Sequence, residues 1–300
     1  MPSPSARNTL RDHAPLLISR SLISKLMRLY DYPHPHQDGR IIRGYDRPHA
    51  IRTARMCAAV AIRLGHPPDR VKQYQIACLL HDLGRAGLDR RLFGAIWSWA
   101  KLHGITTRPR EWRVVHPETR YGRETEAFWI LYASALRDAG VPIDRWAREQ
   151  VEMRLGYARR LARRLRAVRP TLKGLAIRWE SWMALVMLYY YYPEKLSDAK
   201  PWVRQLAEVL VACEQFEAYS NRQRGEDYYT RRRENVEEAM NYLQKLRLEG
   251  LLSDAVVDTL VSLASEGAFD RIVMDARGTS LSAREKRFLR AMASGVVSCR

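Results

Sequence analysis

The chain has 300 residues, enough for one large domain or two small ones, and its apolar content of 46% is that of a folded globular protein rather than a disordered one. Lys and Arg number 51 against 33 Asp and Glu, a formal net charge of +18, so the expected partners are anions: nucleotides, nucleic acid, anionic lipid or an acidic protein. The scattered cysteines Cys57, Cys78, Cys213 and Cys299 form no C-x-x-C pair, so they argue against a zinc knuckle or a disulfide framework and fit a reducing cytoplasm.

Helix follows helix along the chain. The first apolar pattern at helical spacing covers 9–30, and the N-terminal stretch "MPSPSARNTLRDHAPLL" has no uninterrupted apolar core of the kind a signal peptide needs. A loop with Pro and His, "DYPHPHQDGRIIRGYDR", leads to a helix that Pro48 opens and Gly65 stops. Asp69 is expected to cap the next helix, which runs to Gly84. Further helical patterns fit 89–102, 118–137, 144–168, 174–190, 200–222, 232–247 and 254–265. A capping box, Ser282 with Glu285, opens the last one. "DRIVMDA" (270–276) is the one short strand candidate. No apolar run approaches the length of a membrane span, and there is no internal repeat. The fold class expected is all-α: a single multi-helix bundle over 45–265, with helical extensions over 1–44 and 266–300.

"CLLHDLGRAGLD" (78–89) carries the first chemistry. His81 and Asp82 diverge by about 100° on a helix. They share one metal ion if it sits off the helix end, where Gly84 lets the chain turn away. His49, on the preceding helix, is placed to face them.

The stretch from Arg47 to Asp89, a helix with a lone histidine and then a helix ending in H-D-L-G-R, resembles the opening of an HD-superfamily domain. The continuation is similar to the HD-GYP branch: "HPETRYGRE" (116–124) resembles its H-P-E-x-x-G segment, and "YYPEKL" (191–196) its Y-P-x-x-L. "LAEVLVACEQFEAYSNRQRGEDYY" (206–229) resembles its segment with an Asp ligand, and 235–263 its closing helical pair. The resemblance implies an all-α protein that binds divalent metal, iron or manganese, and hydrolyses a cyclic dinucleotide such as cyclic di-GMP. Carried over by position, it implies that His49, His81, Asp82 and His116 are metal ligands. Glu214 stands where the family has a later Asp ligand. Arg85 stands where the family has a phosphate-contacting lysine, Arg222 or Arg224 matches a second phosphate-binding arginine, and Tyr192 matches the conserved Tyr-Pro.

The chain departs from the pattern where the family writes His-His-Glu: Met183, Ala184 and Leu185 stand there, and no histidine follows His116. The set that remains points to one metal site rather than two or three. The expected activity is therefore a phosphohydrolase or phosphodiesterase acting on a nucleotide or cyclic dinucleotide, with Asp82 and Arg85 as catalytic residues. Arg85 would stabilise charge on the phosphate. Two competing readings stand beside it. One is a degenerate protein that binds a nucleotide or protein partner without catalysis. The other is a basic scaffold that docks on nucleic acid or anionic membrane.

That scaffold reading rests on "RLGYARRLARRLRAVR" (154–169), an amphipathic pattern whose arginines, Arg159, Arg160, Arg163 and Arg164 among them, form an anion-docking face or a plain solvated one. The aromatic run in "WESWMALVMLYYYYP" (179–193) reads as core packing or as a stacking surface for a base. His34 and His36 read as loop residues or as replacement ligands folded over the site.

Overall fold

A computed structural model describes residues 14–44, 47–220 and 235–295. It is all-α, as composition and periodicity predict. The helices are α1 Arg20–Met27, α2 Arg47–Arg63, α3 Pro68–Leu79, α4 Arg90–Leu102, α5 Pro109–Val115, α6 Glu124–Asp138 and α7 Arg145–Glu152. They continue with α8 Tyr157–Gly174, α9 Ser181–Leu188, α10 Pro201–Ser220, α11 Val236–Leu248, α12 Asp254–Ser265, α13 Asp270–Arg277 and α14 Ala283–Ala293. A two-residue antiparallel ladder, β1 Tyr32–Pro33 with β2 Ile41–Ile42, closes the histidine-containing loop. No helix among the described residues is long and apolar enough to cross a membrane.

Local chemistry sets most boundaries. Ser19, Asp89, Asp144 and Asn235 each accept a hydrogen bond from a backbone N–H one turn into the helix that follows. Ser282 and Glu285 form the expected reciprocal capping box. Gly65 ends α2 in the left-handed region at φ 83°. Three expectations are corrected. Pro67 is the residue that precedes α3, and Asp69 lies inside its first turn without capping it. The span 144–168 is two helices, broken before Gly156, where a side chain would meet Thr125 Oγ1 at 2.7 Å. The strand candidate 270–276 is helix α13: Ile272, Val273 and Ala276 are buried at helical spacing, and the β-branched pair alone had suggested a strand.

Two apolar cores organise the chain. The larger is built around α10, which packs against α2, α9, α11 and α12, while α2 packs on α3. Ala14, Ile18, Ile23 and Leu26 from the N-terminal segment belong to this core, as do Phe269, Ile272, Leu281 and Leu289 from the C-terminal one. The smaller core gathers residues between Leu88 and Leu155, with Phe93, Trp97, Trp112 and Phe128 at its centre. The chain leaves the larger core just after the His81–Asp82 turn and re-enters it at Tyr157.

Candidate metal centre

Helix α3 ends at Leu79, and a short 3-10 turn, Leu83–Arg85, follows it. Some carbonyl groups along this stretch accept backbone N–H groups of the turn itself, and side chains from elsewhere answer four others. Tyr30 Oη donates to Leu79 O at 2.7 Å, and Tyr157 Oη donates to His81 O. Arg160 Nε and Nη2 donate to Gly84 O and Ala86 O, both at 2.8 Å. Gly84 is required by the closeness of α8: a Cβ at that position would lie 2.5 Å from the Tyr157 ring. Burial pushes the Tyr157 hydroxyl well above its ordinary pKa, which keeps it a donor.

Within this fixed turn, His81 Nδ1 lies 2.7 Å from Cys78 O. A carbonyl only accepts, so Nδ1 carries the proton and the lone pair belongs to Nε2. That Nε2 is buried and has no hydrogen-bond partner. His49 is prepared in the same way: its Nδ1 meets Glu217 Oε2, and Arg52 Nε holds the other carboxylate oxygen at 2.6 Å. The two Nε2 atoms converge on one oxygen, Asp82 Oδ2, at 4.0 Å from His49 and 3.7 Å from His81. Donor atoms of His49, His81 and Glu214 lie within 4.8 Å of one another. Bonds of about 2.0–2.2 Å to one ion separate its ligands by roughly 3–4 Å, so the donor set could hold a divalent cation with a small inward movement. A buried ring nitrogen without a proton or a partner is the specific sign of fit.

His81, Asp82 and Glu214 line a small cavity of about 10 Å³ together with Tyr157, Tyr190 and Tyr191; Val186, Met187, Leu210 and Val211 make its apolar wall. That is room for a single ion or water. Arg85 stands at its side, donating to Asp82 Oδ2 at 3.1 Å and to Tyr191 Oη at 2.9 Å. Behind it lies the partly buried Arg154, and desolvation, with Arg85 and Arg108 nearby, brings its pKa down to about 9.

The structure thus brings together His49, His81, Asp82, Glu214 and Arg85. It does not bring His116 to them. His116 follows α5, stacks on Trp112 with ring centres 4.2 Å apart, and lies 3.5 Å from Glu118. Tyr192 is also placed elsewhere: its hydroxyl is 3.4 Å from Leu155 O and its ring packs beside Tyr121, so Tyr191 is the tyrosine of the site. Met183, in place of the family's His-His-Glu, is fully buried core. His34 and His36 lie on the loop between β1 and β2, where His36 is 3.8 Å from Asp144. Arg222, Arg224 and Cys299 lie outside the described residues.

Four arginines of α8 have partners within the chain. Arg159 grips Glu126 with two bonds of 2.9 Å, Arg163 pairs with Glu152, and Arg164 donates to Leu29 O at 3.1 Å. Arg160 is 2% exposed and serves the turn after His81. Glu217 is the residue that sequence reasoning missed. Its signal was present, since it follows Glu214 by three positions on one helix and therefore shares its face. Compared with known protein families, curated proteins and solved structures, the chain matches none.

Proposed function

We propose that the chain is a metal-dependent phosphohydrolase of the HD type, acting on a nucleotide or cyclic dinucleotide with one divalent ion, iron or manganese by resemblance. The observation that carries the reading is the pair of buried imidazoles, each with Nδ1 committed to an oxygen acceptor and Nε2 turned toward Asp82 Oδ2. A divalent ion held by His49, His81, Asp82 and Glu214 would supply a Lewis acid for the phosphoryl oxygen and lower the pKa of a water. Glu217 and Arg52 orient His49, and the Cys78 carbonyl orients His81. Arg85, steadied by Tyr191, offers a guanidinium fork for the charge that develops on phosphate.

A second reading keeps the metal and drops turnover. The small cavity and the commitment of Arg85 to Asp82 and Tyr191 favour it. Metal analysis of the purified protein, coupled to turnover of cyclic di-GMP and a nucleotide panel, separates the two. The hydrolase reading expects bound metal and product, with both lost in His81→Ala and Asp82→Ala. Bound metal without product in any assay selects the second reading. Protein without Fe, Mn, Zn or Ni, unable to take any of them up, defeats both.

A further inference from the structure

A cleft of about 430 Å³ opens where β1 meets α7 and α8. Its size is that of a small-molecule site, not of an extended nucleic-acid track. Arg145, Arg148, Arg160, Arg163 and Arg164 line it, with only two carboxylates, Glu149 and Glu152, among them. Those carboxylates are already engaged. Glu149 accepts from Arg160 at 3.0 Å and from Tyr32 Oη at 2.9 Å, while Glu152 takes Arg163. Three cations remain in excess. Arg145 lies 3.6 Å from Glu149 but its side chain is 93% exposed. Arg148 has Glu126 at 3.9 Å, a carboxylate that Arg159 already holds with two bonds. Arg164 makes no ion pair among the described residues: it reaches the Leu29 carbonyl, covers the Tyr32 ring at 5.0 Å, and keeps a buried Nε with no hydrogen-bond partner.

A concave site with an excess of about three positive charges, presented as planar forks, selects a compact multivalent anion with several oxygens. We propose that this cleft binds the pyrophosphate group of a small ligand, free or carried by a nucleoside. The site is separate from the metal centre and does not depend on it. The two share one side chain: Arg160 forms part of the cleft wall and also holds the carbonyls of Gly84 and Ala86 beside the His81–Asp82 turn.

Calorimetric titration of the full chain with pyrophosphate, and separately with ADP, tests the proposal. Saturable binding at one site per chain is expected, weakening as salt is raised. In the Arg148→Ala/Arg163→Ala double variant the Kd should rise by about tenfold or more, as loss of charge-assisted hydrogen bonds implies. Both side chains are about half exposed, and the variant's circular dichroism should match the parent's. Arg145→Ala, at a position almost fully in solvent, gives a second variant that should weaken binding without touching the fold. His81→Ala should leave binding unchanged. Tighter binding of ADP than of pyrophosphate identifies a nucleoside-borne group, and equal binding a free one. No saturable binding of either probe overturns the proposal. So does binding that survives the arginine substitutions, or binding that disappears in His81→Ala.

Discussion

Helix α8 carries six arginines between positions 159 and 169, whereas the turn at His81–Asp82 has two functional side chains and little net charge. Density of charge left the helix open to two readings, a docking face or a solvated one. In the folded chain most of that charge is spent on carboxylates and carbonyls of the same molecule: Glu126, Glu149, Glu152, Leu29, Gly84 and Ala86. At the turn the reverse holds. Each imidazole has its Nδ1 committed to an oxygen, and His81 Nε2 is buried without a hydrogen-bond partner. A folded chain satisfies its buried polar atoms almost everywhere, so an unsatisfied one marks a site more sharply than a run of like charges.

This contrast can be broken in graded steps. Arg160→Met should have the largest effect on the fold. It strips the Gly84 and Ala86 carbonyls of their donor and leaves Glu149 without its buried partner, costing about 3 kcal/mol in urea unfolding. Next in size, Glu217→Gln should weaken metal affinity by about 10–100-fold while leaving the unfolding midpoint nearly in place, because it alters the basicity of His49 and not the packing. A titration that finds metal affinity unchanged would remove Glu217 from the site. Gly84→Ala forces a methyl group against the Tyr157 ring and should cost about 1–2 kcal/mol, with a matching loss of metal affinity if the turn shifts. Arg163→Ala removes a half-exposed ion pair and should change stability by less than about 1 kcal/mol, with metal content intact. A loss as large as that of Arg160→Met would erase the distinction drawn between paired and structural arginines.

The all-α fold was legible because apolar residues recur at helical spacing in nearly every segment, and because Gly65 and the Ser282–Glu285 box punctuate it. His49, His81, Asp82 and Glu214 were legible as a set through a pattern of spacing and order. Proximity in space was not. His116 matched the pattern as well as His49 did, yet it stacks on Trp112 at the edge of the smaller core. Tyr191 and Tyr192 are neighbours in sequence, and only the turn after α9 decides which one faces Arg85. Glu217 was missed because its spacing from Glu214 marks only a shared helix face, and the sequence does not show that this carboxylate meets His49. The helix over 109–115 was masked by its Pro109 and its brevity, and α13 by its Ile272–Val273 pair.

The stretch between Leu88 and Leu155 is an excursion with its own apolar centre, and its two ends meet at one place. The chain departs at Gly84 and Ala86 and returns at Tyr157 and Arg160, and these four residues are fastened to one another or to His81. The fastening works as a drawstring at the mouth of a pouch. With the mouth tied, the loop-closure entropy of the whole excursion is settled at the neck, so the contents can loosen without slackening the knot. Amide exchange should therefore divide the protein in two: faster, jointly opening amides in α4 to α6, and the slowest exchange at the knot itself, a few ångströms from His81.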